Sequence, residues 1–438
     1  MTADRFTDHL TAGRQKWLAS SLTRRRVLAG SAVAAGALVV GPGQLGRTLA
    51  QDKIKLSQWY HQYGEEGTQD AAARYAKEYS GVNPNVEVEM VWEPGDYEGQ
   101  KLPAALLTNQ GPDVFEGHPT VAMVQANQIV ALDDIFTPEV KADFNPTNLA
   151  TNTINGKIYA VKMIDDMGLL YYRKSLLQEA GVQPPTTMDE LIAASKKLDT
   201  GRVKGLFLGN DGGISALLNI APWSAGSDFL VNKEIVFNND RTVASYEKVK
   251  ELNDSGSLLV GAPTDWWDPS AFTQGLAAMQ WTGLWAMPGI KKGVGDDFGV
   301  VAWPAFDAKG TPVTFWGGWS EMVNAKSKNV DAAKQFVKWL WLDNIKDQQD
   351  WSLSYGFHVP PRKSAAAAAE PLKTGPAAEA VKILNDHGKI TPPEWTAAMG
   401  TVLTDALSNI VKNGKPAKDE VATAAQKCQD ELKRVLGA

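Results

Sequence analysis

Asn155 to Leu198 reads NGKIYAVKMIDDMGLLYYRKSLLQEAGVQPPTTMDELIAASKKL. Asn155-Gly156 is a turn dipeptide and opens an apolar strand around Ile158–Val161. An acidic joint, Asp165-Asp166, separates it from a second strand at Leu169–Tyr172. A short helix then ends near Gly181, Pro184-Pro185 breaks the chain, and a new helix begins at Thr187. Thr187 and Glu190 have the S/T-x-x-E spacing in which hydroxyl and carboxylate satisfy each other's orphan backbone amides. Two unlike halves meet at the acidic joint, so the chain is expected to leave one lobe for another there.

The NGKIYAV strand, the LLYYRKSLLQEAG segment and the PPTTMDEL helix start, in that order, resemble the hinge region of the carbohydrate-type extracellular solute-binding proteins of ABC importers, the maltose-binding-protein-like group. The likeness extends more weakly over residues 51–438. It implies an α/β, periplasmic-binding-protein-like fold in which two α/β lobes joined by a hinge (type II) close on a sugar. One lobe is expected from residues 51–164 and 320–360, the other from 165–319 and 361–438.

The chain has 438 residues, enough for two cores, and its apolar and charged fractions are those of a globular protein. Fifteen tryptophans are many for this length; core packing accounts for some, and aromatic faces are also what a carbohydrate site needs. Cys428 is the sole cysteine, which excludes an intrachain disulfide and a cysteine-based zinc site. Residues 1–50 differ in kind. Thr23-Arg24-Arg25-Arg26-Val27-Leu28 precedes an uncharged run from Ala29 to Val40, and Thr48-Leu49-Ala50 offers small residues for cleavage. This reads as a twin-arginine signal peptide, with export to the periplasm and the twin-arginine translocase as a partner. The competing reading, a retained membrane anchor, is disfavoured by a run shorter than the ~20 residues a span needs. The whole chain holds 44 Lys+Arg and 50 Asp+Glu; residues 1–50 take seven and two of these, leaving 37 and 48 and a formal charge of −11. So acidic a chain without a basic stripe argues against nucleic acid and anionic membranes, and suits a neutral polyol or a cation.

Outward from the joint, Lys53–Trp59 alternates as a first strand, Ala72, Tyr75, Ala76 and Tyr79 fall at helical spacing, and Val86–Val91 alternates as a second strand. Strand, helix, strand implies a βαβ unit and a largely parallel sheet, whose ligands sit at the carboxyl ends of strands. That places Trp59, Tyr60, His61, Tyr63, Glu65 and Glu66 at a candidate rim. A helix over Tyr97–Asn109 would contain Pro103, which should kink it. Gly111-Pro112-Asp113-Val114-Phe115 resembles the family's turn into a strand, and the resemblance assigns ligand contacts to the loop after it, Glu116-Gly117-His118. A second match, Ala271 to Trp285, resembles the family's F-x-x-G-x-A-A-M-x-x-x-G-x-W element; it makes Trp285 a stacking platform with Trp281 as neighbour. Gly283 permits a close backbone approach to ligand or a positive-φ turn. FGVVAWP at 298–304 and Trp316-Gly317-Gly318-Trp319-Ser320-Glu321 look like the strand that returns the chain to the first lobe. Asp331–Leu342 places Ala333, Phe336, Val337, Leu340 and Trp341 on one helix face. Gly356 to Arg362 resembles the family's G-x-x-P-x-R loop near the ligand.

Each candidate has a competing structural reading. Trp281, Trp285, Trp316 and Trp319 could be core; Trp223 sits in a Pro/Ser/Gly loop, which favours exposure; Trp266-Trp267 reads as a surface anchor or lobe packing. The acid pairs Glu65-Glu66 and Asp165-Asp166 could accept sugar hydroxyls, form a glycosidase pair, or be solvated loop carboxylates. Arg362 could fork onto a ligand or make an ordinary salt bridge. No metal cluster, phosphate loop or nucleophile elbow is present, so no cofactor and no catalytic residue is assigned. The expected protein is a monomer that binds a carbohydrate and delivers it to membrane permease subunits; a secreted glycoside hydrolase and a polyamine binder are the alternatives.

Overall fold

A computed structural model describes residues 53–437; the expected signal peptide lies outside the described residues. The strands of the two main sheets, in chain order, are β1 Ile54–His61, β2 Val86–Glu93, β3 Val114–Gly117, β4 Val161–Lys162, β5 Gly168–Tyr172, β6 Lys204–Phe207, β7 Ala277–Gly283, β8 Gly299–Val301 and β9 Ser320–Val323. The first lobe is built on the order β2-β1-β3-β9-β4, the second on β8-β5-β7-β6. Both have helices packed on them and a core of their own, one around Tyr60, Phe336 and Trp341, the other around Trp281, Trp303 and Tyr246.

The sheets are mixed rather than wholly parallel, and the exceptions have one cause. β1 runs parallel to β2 and β3, whereas β9 is antiparallel to β3 and β4. In the second lobe β6 runs parallel to β7, while β5 is antiparallel to β7 and β8. β5 and β9 are the strands that begin where the chain has just crossed between lobes. All the others run toward that crossing, so their carboxyl ends, and the loops after them, face the gap between the lobes.

Three crossings make the hinge, and they bond to one another. Asp165 exchanges backbone hydrogen bonds with Val359 (2.9 Å each way), and Asp166 with Gly317 (2.8 and 3.3 Å). A second connection lies apart from the hinge: Val435, near the C-terminus, packs with Val121 and Ile154 of the first lobe, and Gln125 Nε2 donates to its carbonyl.

Local signals explain the elements around the hinge. Asn155 and Gly156 both take positive φ (50° and 78°) and turn a hairpin pairing Thr153–Ile154 with Lys157–Ile158, as a primed turn requires. Gly181 ends the helix Lys174–Ala180 in the left-handed conformation, and Thr187 and Glu190 form the full capping box on Met188–Leu198. Pro103 sits at a junction between two kinds of helical turn. A wide turn over Tyr97–Lys101, closed by the Leu102 amide on the Tyr97 carbonyl, leads into the helix Leu102–Leu107, so the proline falls in the first turn of the latter, where its missing amide costs least.

Candidate ligand-binding cleft

The first-lobe wall starts from His61, the last residue of β1. Its backbone amide and its Nδ1 both reach Glu116 Oε1 at 2.5 Å, and the Tyr63 hydroxyl donates to Glu116 Oε2 (2.8 Å). Glu116 is fully enclosed. Burial works against an imidazolium at His61, but the Glu116 carboxylate overrides it and holds His61 above its ordinary value. The His61 ring stacks on Trp319, with centroids 4.4 Å apart and planes at 27°. His118 lies 5.2 Å from the same indole, tilted against it and about half exposed. Its Nε2 donates to the Gly318 carbonyl (3.1 Å) while Nδ1 meets Glu98 (2.8 Å). Burial works against a charged ring there, but the Glu98 carboxylate raises His118 above its ordinary value.

The hinge supplies the floor. Asp165 is buried and accepts from Asn148 Nδ2 (2.8 Å) and Trp316 Nε1 (2.9 Å). Burial pushes it up to about 6, against the pull of Lys162 and those two donors. Asp166 is engaged by His358 Nδ1 at 2.9 Å, and the other ring nitrogen of His358 lies 3.7 Å from Glu65. Gly318 has φ +92°, and its carbonyl accepts from Lys162 Nζ (2.8 Å). A Cβ there would lie 2.1 Å from the Ile164 carbonyl oxygen. Gly317 packs under the Phe315 ring.

The second-lobe wall rises from the end of β7, where Gly283 pairs with Gly168, two residues beyond the hinge acid Asp166. Gly283 has an extended backbone (φ −95°), and a Cβ on it would lie 1.9 Å from the Trp285 ring. The close approach expected there is therefore made by Trp285 itself. Trp285 is half-buried, donates from Nε1 to the Trp267 carbonyl (2.9 Å) and meets the Trp266 edge at 5.9 Å.

Several expected contacts stand elsewhere. Tyr60 is fully enclosed, stacked on Trp92 and tilted against Trp351. Trp281 is fully enclosed as well, edge-on to Trp303 at 5.5 Å, so neither can touch a solute. Trp223 is 4% exposed and packs on Phe229; the loop composition misled because the helix Ile220–Ser224 folds inward. It does line a small cavity of about 30 Å³ with Asp228 and Trp395. Trp59 is half-buried, bonds Ser57 Oγ (3.1 Å) and packs on the Phe115 cluster. Arg362 is held by Asp143 (2.8 Å) and the Leu342 carbonyl (2.7 Å), which makes it a first-lobe tie rather than a ligand fork. Glu66 is exposed, and Glu65 half-buried beside His358.

Of the expected residues, Glu65, His118, Trp285, Trp316, Gly317, Gly318 and Trp319 are at least partly exposed near the hinge, while Glu116, Asp165 and Asp166 are buried beside them. The sequence reading did not single out His358, Glu98 or Lys162. His-carboxylate pairing joins positions far apart in the chain, and no local spacing signals it. Among the described residues no group of three or more metal-ligating side chains occurs.

Two lobes on a three-strand hinge, with aromatic and charged groups at the mouth of both sheets, define a hinged binding protein. Residues 70–380 match the family described as bacterial extracellular solute-binding protein, and the chain belongs to that family of ABC-transporter binding proteins. The diacetylchitobiose binding protein of Streptomyces coelicolor is 26% identical over 352 residues, 73% of this chain and 76% of that one. The GacH receptor of Streptomyces glaucescens, solved unliganded and in complex with acarbose, superposes with a TM-score of 0.73 at 26% identity, covering 87% of this chain and 99% of its own. UgpB of Mycobacterium tuberculosis, solved in complex with glycerophosphocholine, has a TM-score of 0.72 at 20% identity over 88% of this chain and 100% of that one, a likeness of fold.

Proposed function

We propose that the chain captures a carbohydrate between its lobes and hands it to membrane permease subunits of an ABC importer. The observation that carries this reading is a half-buried indole at the hinge end of each sheet, Trp319 just before β9 and Trp285 just after β7. A pyranose offers an apolar C–H face to an indole and hydroxyls to charged neighbours in its plane; His118 and Glu65, both partly exposed, supply such neighbours. Sugar-derived ligands in the names of two of the similar proteins support the same reading. Binding rather than hydrolysis is supported by the state of the acids: Asp165, Asp166 and Glu116 are each already engaged by protein donors. A micromolar sugar complex corresponds to about 8 kcal/mol, which a few stacked rings and charged bonds reach when closure dries the gap. Ligand then shifts an open–closed equilibrium about the three crossings, and the permease reads the closed shape. Export through the twin-arginine route, action in the periplasm as a monomer, and lobe boundaries at 164/165, 319/320 and 360/361 belong to the same proposal.

A thermal-shift panel on the full chain with mono- and oligosaccharides, glycerophosphocholine and spermidine tests it, because ligand raises Tm by mass action. A Tm rise with sugars that 0.5 M NaCl leaves unchanged is expected. A rise confined to spermidine and abolished by that salt overturns the reading.

A further inference from the structure

Trp267 is the only exposed tryptophan among the described residues, 52% accessible. The loop that bears it, 264–269, leads into β7 and stands over the carboxyl end of β6, where Asp265 Oδ1 accepts from the Asn210 amide (3.2 Å). That loop is held from beneath by groups a core has no need to place there. The Trp267 carbonyl accepts from Trp285 Nε1 (2.9 Å) and Thr282 Oγ1 (3.3 Å), and the carbonyls on either side, of Trp266 and Asp268, accept from Gln280 Nε2 (3.2 and 2.8 Å). Gln280 and Thr282 are themselves fully buried on β7. Buried polar side chains thus fix the backbone under three consecutive residues, and the middle one presents its ring to solvent. Leaving an indole in water forgoes its burial energy, while fixing its backbone lowers the entropy cost of stacking a ligand on it.

We propose that Trp267 is a second stacking plate, next to Trp285, which receives the neighbouring ring of the bound sugar. It rests on the carbohydrate reading above and narrows it: the ligand is an oligosaccharide of at least two pyranose rings lying along the second-lobe wall. Trp285 holds one ring and Trp267 the next, and the bond from Trp285 Nε1 to the Trp267 carbonyl sets the spacing between plates.

Isothermal titration of the full chain and of Trp267→Ala and Trp267→Phe, with the glucose, maltose, maltotriose and the xylose, xylobiose, xylotriose series, tests the proposal. In the series that binds, Trp267→Ala is expected to leave the monosaccharide within twofold and to weaken the trisaccharide at least tenfold, with Trp267→Phe restoring most of the loss and Tm unchanged in both. Equal loss at every length, or no loss on the trisaccharide, overturns the second plate while leaving the carbohydrate reading intact. Binding of spermidine in place of every sugar by the unaltered chain overturns both.

Discussion

The indole Nε1 of Trp316 donates to Asp165 Oδ1 at 2.9 Å, joining two hinge crossings that lie 151 residues apart in the chain. Asp165 keeps only one other side-chain donor, Asn148. Trp316→Phe keeps one aromatic ring but removes the pyrrole half of the indole and with it this bond to a buried carboxylate, the bond alone being worth about 1.5–3 kcal/mol. Urea unfolding should show that loss, and Asp165 should titrate still higher than about 6 in the variant.

Gly318→Ala is expected to be worse. The backbone there has φ +92°, and the added methyl meets the Ile164 carbonyl. Strain of this kind costs about 1–3 kcal/mol before the clash is counted. A lowered urea midpoint, with ligand affinity reduced as the hinge shifts, is the measurable outcome.

Glu321 faces Glu116 across β3 and β9 and is fully buried. Burial, with Glu116 adding to it, pushes Glu321 up to about 8. Folding therefore favours its protonated form, so its contribution to stability falls as pH rises from the ordinary carboxylate range to about 8 and is level beyond. Gln58 Oε1 lacks a partner, and a protonated Glu321 can supply one once the amide turns over. Glu321→Gln should remove the fall, gaining on the parent with pH by at most about 1.4 kcal/mol per unit. Denaturant titrations at pH 5, 7 and 9 measure it; parallel curves would count against a buried protonated acid.

His358 contributes with the opposite chemistry and the same direction. Burial disfavours its cation, but Asp166 raises its pKa above the ordinary value. Its contribution is complete below the unfolded value, near 6.5, and is lost as pH rises through the folded one. The stability difference between the parent and His358→Gln should be larger at pH 6 than at pH 9.

Thr187→Ala removes the hydroxyl that accepts from the Glu190 amide. A loss of about 1 kcal/mol is expected, by urea unfolding.

Much of this architecture was legible in the sequence because its signals are local. Asn155-Gly156, Gly181 and the Thr187–Glu190 box each act within a few residues, and the acidic joint marks a crossing. Assigning the site was harder. Alternation along β1 puts Trp59 and Tyr60 on opposite faces, but what seals Tyr60 is Trp351, 291 residues on. Trp281 and Trp285 are one helical turn apart in number yet stand on a strand and past its end, so one is core and the other wall. Arg362 looks locally like a ligand fork, but the carboxylate that engages it, Asp143, lies 219 residues earlier in the chain. Trp267, read as packing or an anchor, is pinned by side chains from a strand that begins ten residues later.

Because only β5 and β9 start at the hinge, every other strand of both sheets hands its succeeding loop to the gap. The scaffold is thereby insulated from the recognition surface. A mutagenesis library confined to residues 62–67, 118–120, 208–213, 264–268 and 284–286 falls outside every strand of both sheets, which makes this chain a natural chassis for a reagentless biosensor.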